Sequence, residues 1–158
     1  MRFVKESLIH ATPKRVFAFH EQANALELLL PPWETARVIQ AARIWEVGSR
    51  AIIDTSILGP IKVRWIAEHI RYEPPHLFED VQIKGPFRSW RHRHIIRQHP
   101  EGAMLRDEID YEPPLGPLGK LVAPLLVEPR LRKLLEYRHQ VTREWCKESP
   151  NGPLTTDN

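Results

Sequence analysis

The sequence predicts an α+β chain, with an antiparallel sheet of about seven strands, two short helices after the first strand, and one long C-terminal helix. Three observations predict it. Residues 85–114 read GPFRSWRHRHIIRQHPEGAMLRDEIDYEPP, two alternating segments around a turn at His99-Pro100-Glu101-Gly102, which is the pattern of a hairpin. Period-two segments separated by Pro and Gly fill residues 34–84. Beyond Pro113-Pro114 the period lengthens to that of a helix.

Composition bounds the rest. A chain of 158 residues fits one domain and buries roughly 68–70% of its unfolded surface. Apolar content of 42% and charged content of 27% suit a globular protein, and the net charge of +3 is modest. The arginines between 88 and 106 face acids on the next segment, so no unopposed basic stripe arises and nucleic acid is not an expected partner. The single Cys146 rules out an internal disulfide framework and a Cys-rich zinc site. No apolar leader follows Met1 and no run approaches the ~18 residues of a membrane span, so a reducing cytoplasm is the expected location. Fifteen prolines fall mostly between periodic segments, where they mark element boundaries.

Residues 2–10 alternate, with Phe3, Lys5, Ser7 and Ile9 on one side, and make the first strand. Thr12-Pro13 is a helix start, Thr at the N-cap and Pro where its missing N–H does no harm. Val16, Phe17 and His20 form a short stripe on that helix. Asn24-Ala25-Leu26-Glu27 has the spacing of a capping box for a second short helix ending at Pro31-Pro32. Strands are expected at 35–44, 49–58, 61–72 and 76–84, with turns at Gly59-Pro60, Pro74-Pro75 and Gly85-Pro86. In 61–72 neither parity is cleanly polar, so its inner face stays unassigned.

In the 85–114 hairpin, a turn centred on Pro100-Glu101 sets Gln98 against Ala103, Ile96 against Leu105, His94 against Asp107, His92 against Ile109 and Trp90 against Tyr111. The other face opposes Arg93 to Glu108 and Arg91 to Asp110. Opposite charges across a ladder favour one register, and a slip of one residue would turn every side chain over. The inner face then mixes apolar residues with two histidines and an aspartate. After 114, Leu118, Leu121, Val122, Leu125 and Leu126 recur at helical spacing, as do Leu131, Leu134, Leu135, Arg138, Val141 and Trp145. Pro124 should kink this region, with Pro129 in the first turn of the main helix. Residues 1–148 are expected to form a single domain, with 149–158 a flexible tail.

This order of elements resembles the START-like, helix-grip architecture of the SRPBCC superfamily. Gly85-Pro86-Phe87, Trp90-x-His92-x-His94, Leu105-x-Asp107-x-Ile109-x-Tyr111 and Pro114-Leu115-Gly116-Pro117-Leu118-Gly119 look like its cyclase/dehydrase-like or coenzyme Q-binding-like ligand-binding subgroup. The resemblance implies a curved sheet wrapped around the terminal helix, with a hydrophobic cavity between them, and it implies no particular reaction.

The polar residues of the inner face admit several chemistries. Two histidines and a carboxylate are legitimate metal ligands, with Glu79 or Asp80 able to approach from the preceding strand. Side chains two apart on a strand, however, stand ~6–7 Å from one another, and no third histidine has a clear place nearby. Neither a metal nor a cofactor is therefore expected. As an acid–base pair, Asp107 would orient His94 and leave its other nitrogen as general base for an aldol-type cyclisation, a dehydration or a hydrolysis. Covalent catalysis is disfavoured, since Cys146 is at the far end of the last helix and Ser89 has the opposite parity to His92. The plainest alternative is a buried polar ladder that fixes register without chemistry.

The expected function is binding of an apolar small molecule (lipid, isoprenoid or quinone, or polyketide-like) between the sheet and the last helix. Trp65, Phe78, Trp90, His92, His94, Leu105, Asp107, Tyr111, Leu121 and Leu125 are the expected wall. A cyclase/dehydrase-type enzyme using His94 and Asp107 is the rival. A basic face with Arg130, Arg132 and Lys133 leaves room for peripheral membrane contact. Oligomeric state is not legible.

Overall fold

The computed structural model describes residues 1–58 and 61–148. The elements in order are β1 (Arg2–Ile9), α1 (Pro13–His20), α2 (Ala25–Leu28), β2 (Ala36–Gln40), β3 (Arg50–Leu58), β4 (Ile61–Glu73), β5 (Leu77–Lys84), β6 (Ser89–His99), β7 (Gly102–Glu112), α3 (Gly116–Leu126) and α4 (Glu128–Glu148). The seven strands form one antiparallel sheet in the order β1-β7-β6-β5-β4-β3-β2. Each strand from β2 to β7 pairs with the next, while β1 crosses to pair with β7. The expected turn at Gly59-Pro60 and the tail at 149–158 lie outside the described residues. No described helix is long and apolar enough to cross a membrane.

The β6–β7 hairpin adopts the register that the charge pattern favours: Trp90 pairs with Tyr111, His92 with Ile109, His94 with Asp107 and Ile96 with Leu105. On its outer face Arg93 reaches Glu108 at 3.1 Å and Asp110 at 2.6 Å. Arg91 lies opposite Asp110 in register but pairs instead with Glu79 of β5, a longer reach that a flexible arginine makes easily. At the hairpin turn Gly102 has φ 141°, and a Cβ there would stand 2.3 Å from the Ile9 carbonyl oxygen. The turn is thus pressed against the end of β1, which only a residue without a side chain allows.

Three local expectations need correction. Asn24 makes no side-chain cap, and α2 is a single turn ending before Pro31. The strand expected over 35–44 is only five residues long, Ala36–Gln40, and carries a bulge between Val38 and Gln40. The Pro114–Gly119 stretch, which by sequence reads as the entry turn to the last helix, is more than that. It opens a separate helix, α3, after Leu115 takes the left-handed conformation with φ 67°. At α1, by contrast, Thr12 accepts a hydrogen bond from the Arg15 amide and Pro13 holds the first helical position.

The parity problem in β4 has a physical cause. Register shifts between His69 and Arg71, so the strand gains a residue there. Before the bulge Trp65 and His69 point inward; after it Tyr72 does, packing its ring 5.6 Å from Phe17. A parity test over the whole strand must fail when the strand itself changes parity.

Inside, the buried residues sort into two apolar clusters. One gathers Ile9, Val16, Phe17, Phe78, Ile96, Leu105 and Cys146. The other gathers Phe3, Trp90, Ile109, Tyr111, Ala123, Leu131 and Leu135, with Trp65 and Phe87 against it. Leu135→Ala should lower stability by about 2–5 kcal/mol, since it opens a cavity at a fully buried position. Gly102→Ala should lower it by about 1–3 kcal/mol through strain at the pressed turn. Denaturant titrations of both variants check these values.

Candidate functional site

Between the two apolar clusters runs a polar belt, and each inner element crosses it in the same way. Along β6 the inward residues are Trp90, then His92 and His94, then Ile96. Along β7 they are Tyr111 and Ile109, then Asp107, then Leu105. Along α4, Leu131 and Leu135 give way to His139 and Thr142 before Cys146 returns to the other cluster. On β4, His69 sits between Trp65 and Tyr72, and on β5, Asp80 follows Phe78.

Asp107 is the centre of this belt and only 3% exposed. His92 Nε2 lies 2.9 Å and His94 Nδ1 2.7 Å from its Oδ1, while His139 Nε2 lies 2.6 Å from its Oδ2. An ionised carboxylate only accepts hydrogen bonds, so all three imidazole nitrogens carry a proton and donate. Burial alone would raise the Asp107 pKa. The His94 charge and the hydrogen bonds from His139 and His92 outweigh it and hold the carboxyl well below its usual range.

A second carboxylate completes the belt. Asp80 pairs with His92 across β5–β6 and with His69 across β4–β5. Its Oδ2 stands 3.5 Å from His94 Nε2 and 4.0 Å from His92 Nδ1. Burial pushes His94 down, but the Asp107 and Asp80 carboxylates prevail and lift it to about 9. It is therefore the imidazolium of the group at neutral pH. His92 is driven the other way, first by burial and then by the neighbouring His94 charge. His20 is pushed down to about 4 by burial and His94, and donates from Nδ1 to the Val16 carbonyl at 2.9 Å. Arg138, beside the belt on α4, is also lowered by burial, opposed by the two aspartates, and its Nε donates to the Leu29 carbonyl at 3.3 Å.

The expected site residues divide into groups. Trp90, His92, His94, Leu105, Asp107 and Tyr111 all face inward from the hairpin. Trp65 joins them with its ring 5.0 Å from Trp90, and Phe78 stacks on His94 at 4.1 Å. Leu121 and Leu125 were expected to face the pocket and do not. They stand on the outer side of α3, 74% and 76% exposed, because the short residues Gly119 and Ala123 are the ones turned inward. His20, His69, Arg138 and His139 were missed, and Asp80 entered only as an alternative to Glu79 beside His92. For His139 a signal existed, since it continues the i, i+4 series of Leu131 and Leu135, but a search for apolar periodicity passes over it. Asp80 depended on the length of the loop before β6, which spans residues 85–88.

Two hollows among the described residues lie away from the sheet–α4 interface. One of about 450 Å³ is an open depression lined by Gln40, Arg43, Glu46 and Arg50. The other, a cleft of about 170 Å³, runs between the α1–α2 segment and the loop after β2, and is lined by His20, Glu21, Ile44 and Trp45. Where the sheet meets α4, Trp90, Tyr111, Leu131 and Leu135 pack on one another.

Residues 9–136 match the family described as polyketide cyclase / dehydrase and lipid transport. The chain belongs to this family. Solved structures of similar fold include a Thermus thermophilus protein, 19% identical, covering 96% of this chain and 100% of its own, with a TM-score of 0.73. A Chromobacterium violaceum protein is 13% identical over 92% of this chain and 97% of its own, with a TM-score of 0.68. A Corynebacterium glutamicum nucleoside-diphosphate sugar epimerase carries a similar unit in 29% of its length, matching 92% of this chain at 21% identity and a TM-score of 0.63. No curated protein matches the sequence. At these identities the structures establish the helix-grip fold, and the family establishes a fold made for hydrophobic ligands.

Asp107→Ala should destabilise the protein by about 3–5 kcal/mol, because it strands the buried His94 charge, and thermal unfolding would report it. Cys146, buried and with its thiol pushed up to about 11 by burial, should react with alkylating reagents at about pH 8 far more slowly in the native than in the unfolded chain.

Proposed function

We propose that this protein binds a small or medium apolar molecule (a lipid, an isoprenoid or quinone, or a polyketide-like compound) beneath α3, against the aromatic cluster of the sheet. The observation that carries this reading is α3 itself. It is an apolar helix that buries Gly119 and Ala123, while Leu118, Leu121, Leu125 and Leu126 are exposed. Exposed apolar surface of this extent calls for an occupant. Ala123 rests on the cluster containing Trp90, Tyr111, Leu131 and Leu135, so a shift of α3 would uncover aromatic faces next to its own leucines. Pro124 removes one backbone bond within α3, which weakens the helix where such a shift would occur.

The polar belt gives such a ligand an orientation. Its apolar body would lie on Trp65, Trp90 and Tyr111, and an oxygen at one end would meet the His94 imidazolium or Arg138. In this reading the protein works in the reducing cytoplasm as a carrier or a sensor, and membrane contact through the α3 leucines would let it collect or release its load.

A second reading has one observation in its favour. His92 donates to Asp107 through Nε2 and keeps Nδ1 without a hydrogen, beside protonated His94. That juxtaposition of a base and an acid suits a cyclase/dehydrase-type proton transfer on the bound molecule. His94, with both nitrogens engaged, would be the acid rather than the base, and Asp107 would position the two rings.

Protein purified from cell extracts should carry an apolar compound visible by native mass spectrometry. A long-chain quinone should quench its tryptophan fluorescence at saturable concentration. Trp65→Ala, on the sheet wall that the ligand would cover, should weaken that binding about tenfold, or 1.4 kcal/mol, without changing the fold. A wild-type protein that carries nothing and shows no quenching would remove the binding reading. If the bound compound is transformed, His94→Ala should stop the change and leave affinity largely intact; an unaltered rate rejects the acid role.

A further inference from the structure

We infer that Asp80, His92 and His94 form a binding site for one divalent transition-metal ion of the zinc or iron class. The donor atoms of these three residues, one from each, all lie within 4.8 Å of one another. Donors about 2.1 Å from a tetrahedral ion stand about 3.4 Å apart. Asp80 Oδ2 already lies 3.5 Å from His94 Nε2 and 4.0 Å from His92 Nδ1, so an ion would leave the first separation nearly unchanged, shorten the second by about half an ångström, and draw in the two imidazole nitrogens from a separation of at most 4.8 Å.

The objection that residues two apart on a strand keep their rings ~6–7 Å apart does not hold at this place. The His92 and His94 ring centroids are 3.8 Å apart, because both imidazoles lean toward the single oxygen of Asp107 that accepts from each. That shared acceptor is the second observation. Asp107 accepts hydrogen bonds from His92 Nε2 and His94 Nδ1, which turns the opposite nitrogen of each ring toward Asp80; an ion bound there would displace to solvent the proton that His94 carries on Nε2. A carboxylate behind a ligating histidine is the usual outer-shell device for fixing tautomer and aim, and here one carboxylate does it for two rings. His139 then holds the other Asp107 oxygen at 2.6 Å, so the carboxylate itself cannot swing inward to become a ligand without losing that bond.

The surroundings suit an ion of this class. Two imidazoles and one carboxylate favour zinc, iron, cobalt or nickel over calcium or magnesium, which prefer all-oxygen sites, and over copper(I), which prefers sulfur. His69 faces Asp80 across the β4–β5 ladder, and its buried Nδ1 has no hydrogen-bond partner. His20 has its ring 6.0 Å from that of His94 and also lines the 170 Å³ cleft. Metal binding here is independent of the apolar-ligand reading, since the ion is tested alone.

Untagged, chelator-treated protein titrated with Co²⁺ should develop visible d–d absorption that saturates at one ion per chain and is displaced by Zn²⁺. Asp107→Asn should weaken the metal about 10–100-fold as an outer-shell change, and Asp80→Asn and His94→Gln should weaken it further. His76→Ala, on the exposed turn before β5, should leave it unchanged. Should the ligand variants fail to fold, X-ray absorption of the zinc-loaded wild-type protein should report two imidazoles and an oxygen donor in the first shell. No cobalt uptake, uptake unaffected by Asp80→Asn, or a first shell without two imidazoles would each overturn the proposal.

Discussion

The buried carboxylate of Asp107 is the constraint on which the interior depends. Taking a carboxylate out of water costs several kcal/mol unless its lone pairs are met, and here they are met by three imidazoles from two different elements. His92 and His94 come from β6, the strand next to it, and fix the hairpin register from within. His139 comes from α4 and fixes the height of that helix over the sheet. One side chain thereby couples strand pairing to helix docking. The outer face repeats the register through arginine–acid pairs, but these are partly solvated and each is worth at most about 1 kcal/mol.

The belt around Asp107 also explains why the core is divided. A uniformly apolar interior would have let α4 slide or rotate among similar packings. Crossing a row of groups that each demand a particular partner removes that freedom. His94, Arg138, Asp80 and Asp107 bring two cations and two anions together, so the belt is close to neutral as a unit while each member keeps its charge.

Much of the fold was legible in the sequence because two kinds of information agreed. In 85–114 the charges on one parity and the apolar residues on the other asked for the same register, and the structure adopts it. The N-cap at Thr12 and the place of Pro129 in the first turn of α4 were readable from local sequence alone. The site was half legible. His92, His94 and Asp107 share one hairpin, so local pairing brings them together. His139 lies 32 residues from Asp107 in sequence and is recruited by tertiary packing. Asp80 hung on a loop length, and His69 on a bulge whose effect is to hide the inward parity of β4. Leu121 and Leu125 misled because helical spacing identifies a stripe without saying which side of the helix is covered, and α3 turns its small residues inward instead.

The banding of α4 has a mechanical side. From Cys146 back to His139 the helix is held by named polar ties: Arg15 donates to the carbonyls of Trp145 and Cys146, and His139 grips Asp107. From Leu135 back to Leu131, and on into α3, the buried contacts are mainly apolar, and the polar ones that accompany them are long, Tyr111 Oη to Glu128 at 3.5 Å and Lys120 to Glu112 at 4.0 Å. Such a helix is clamped at one end and sprung at the other. Loads applied near α3 would then tilt the aromatic half of the interior before they moved the histidines. Such a division would take up volume changes at one end before they reached the charged centre.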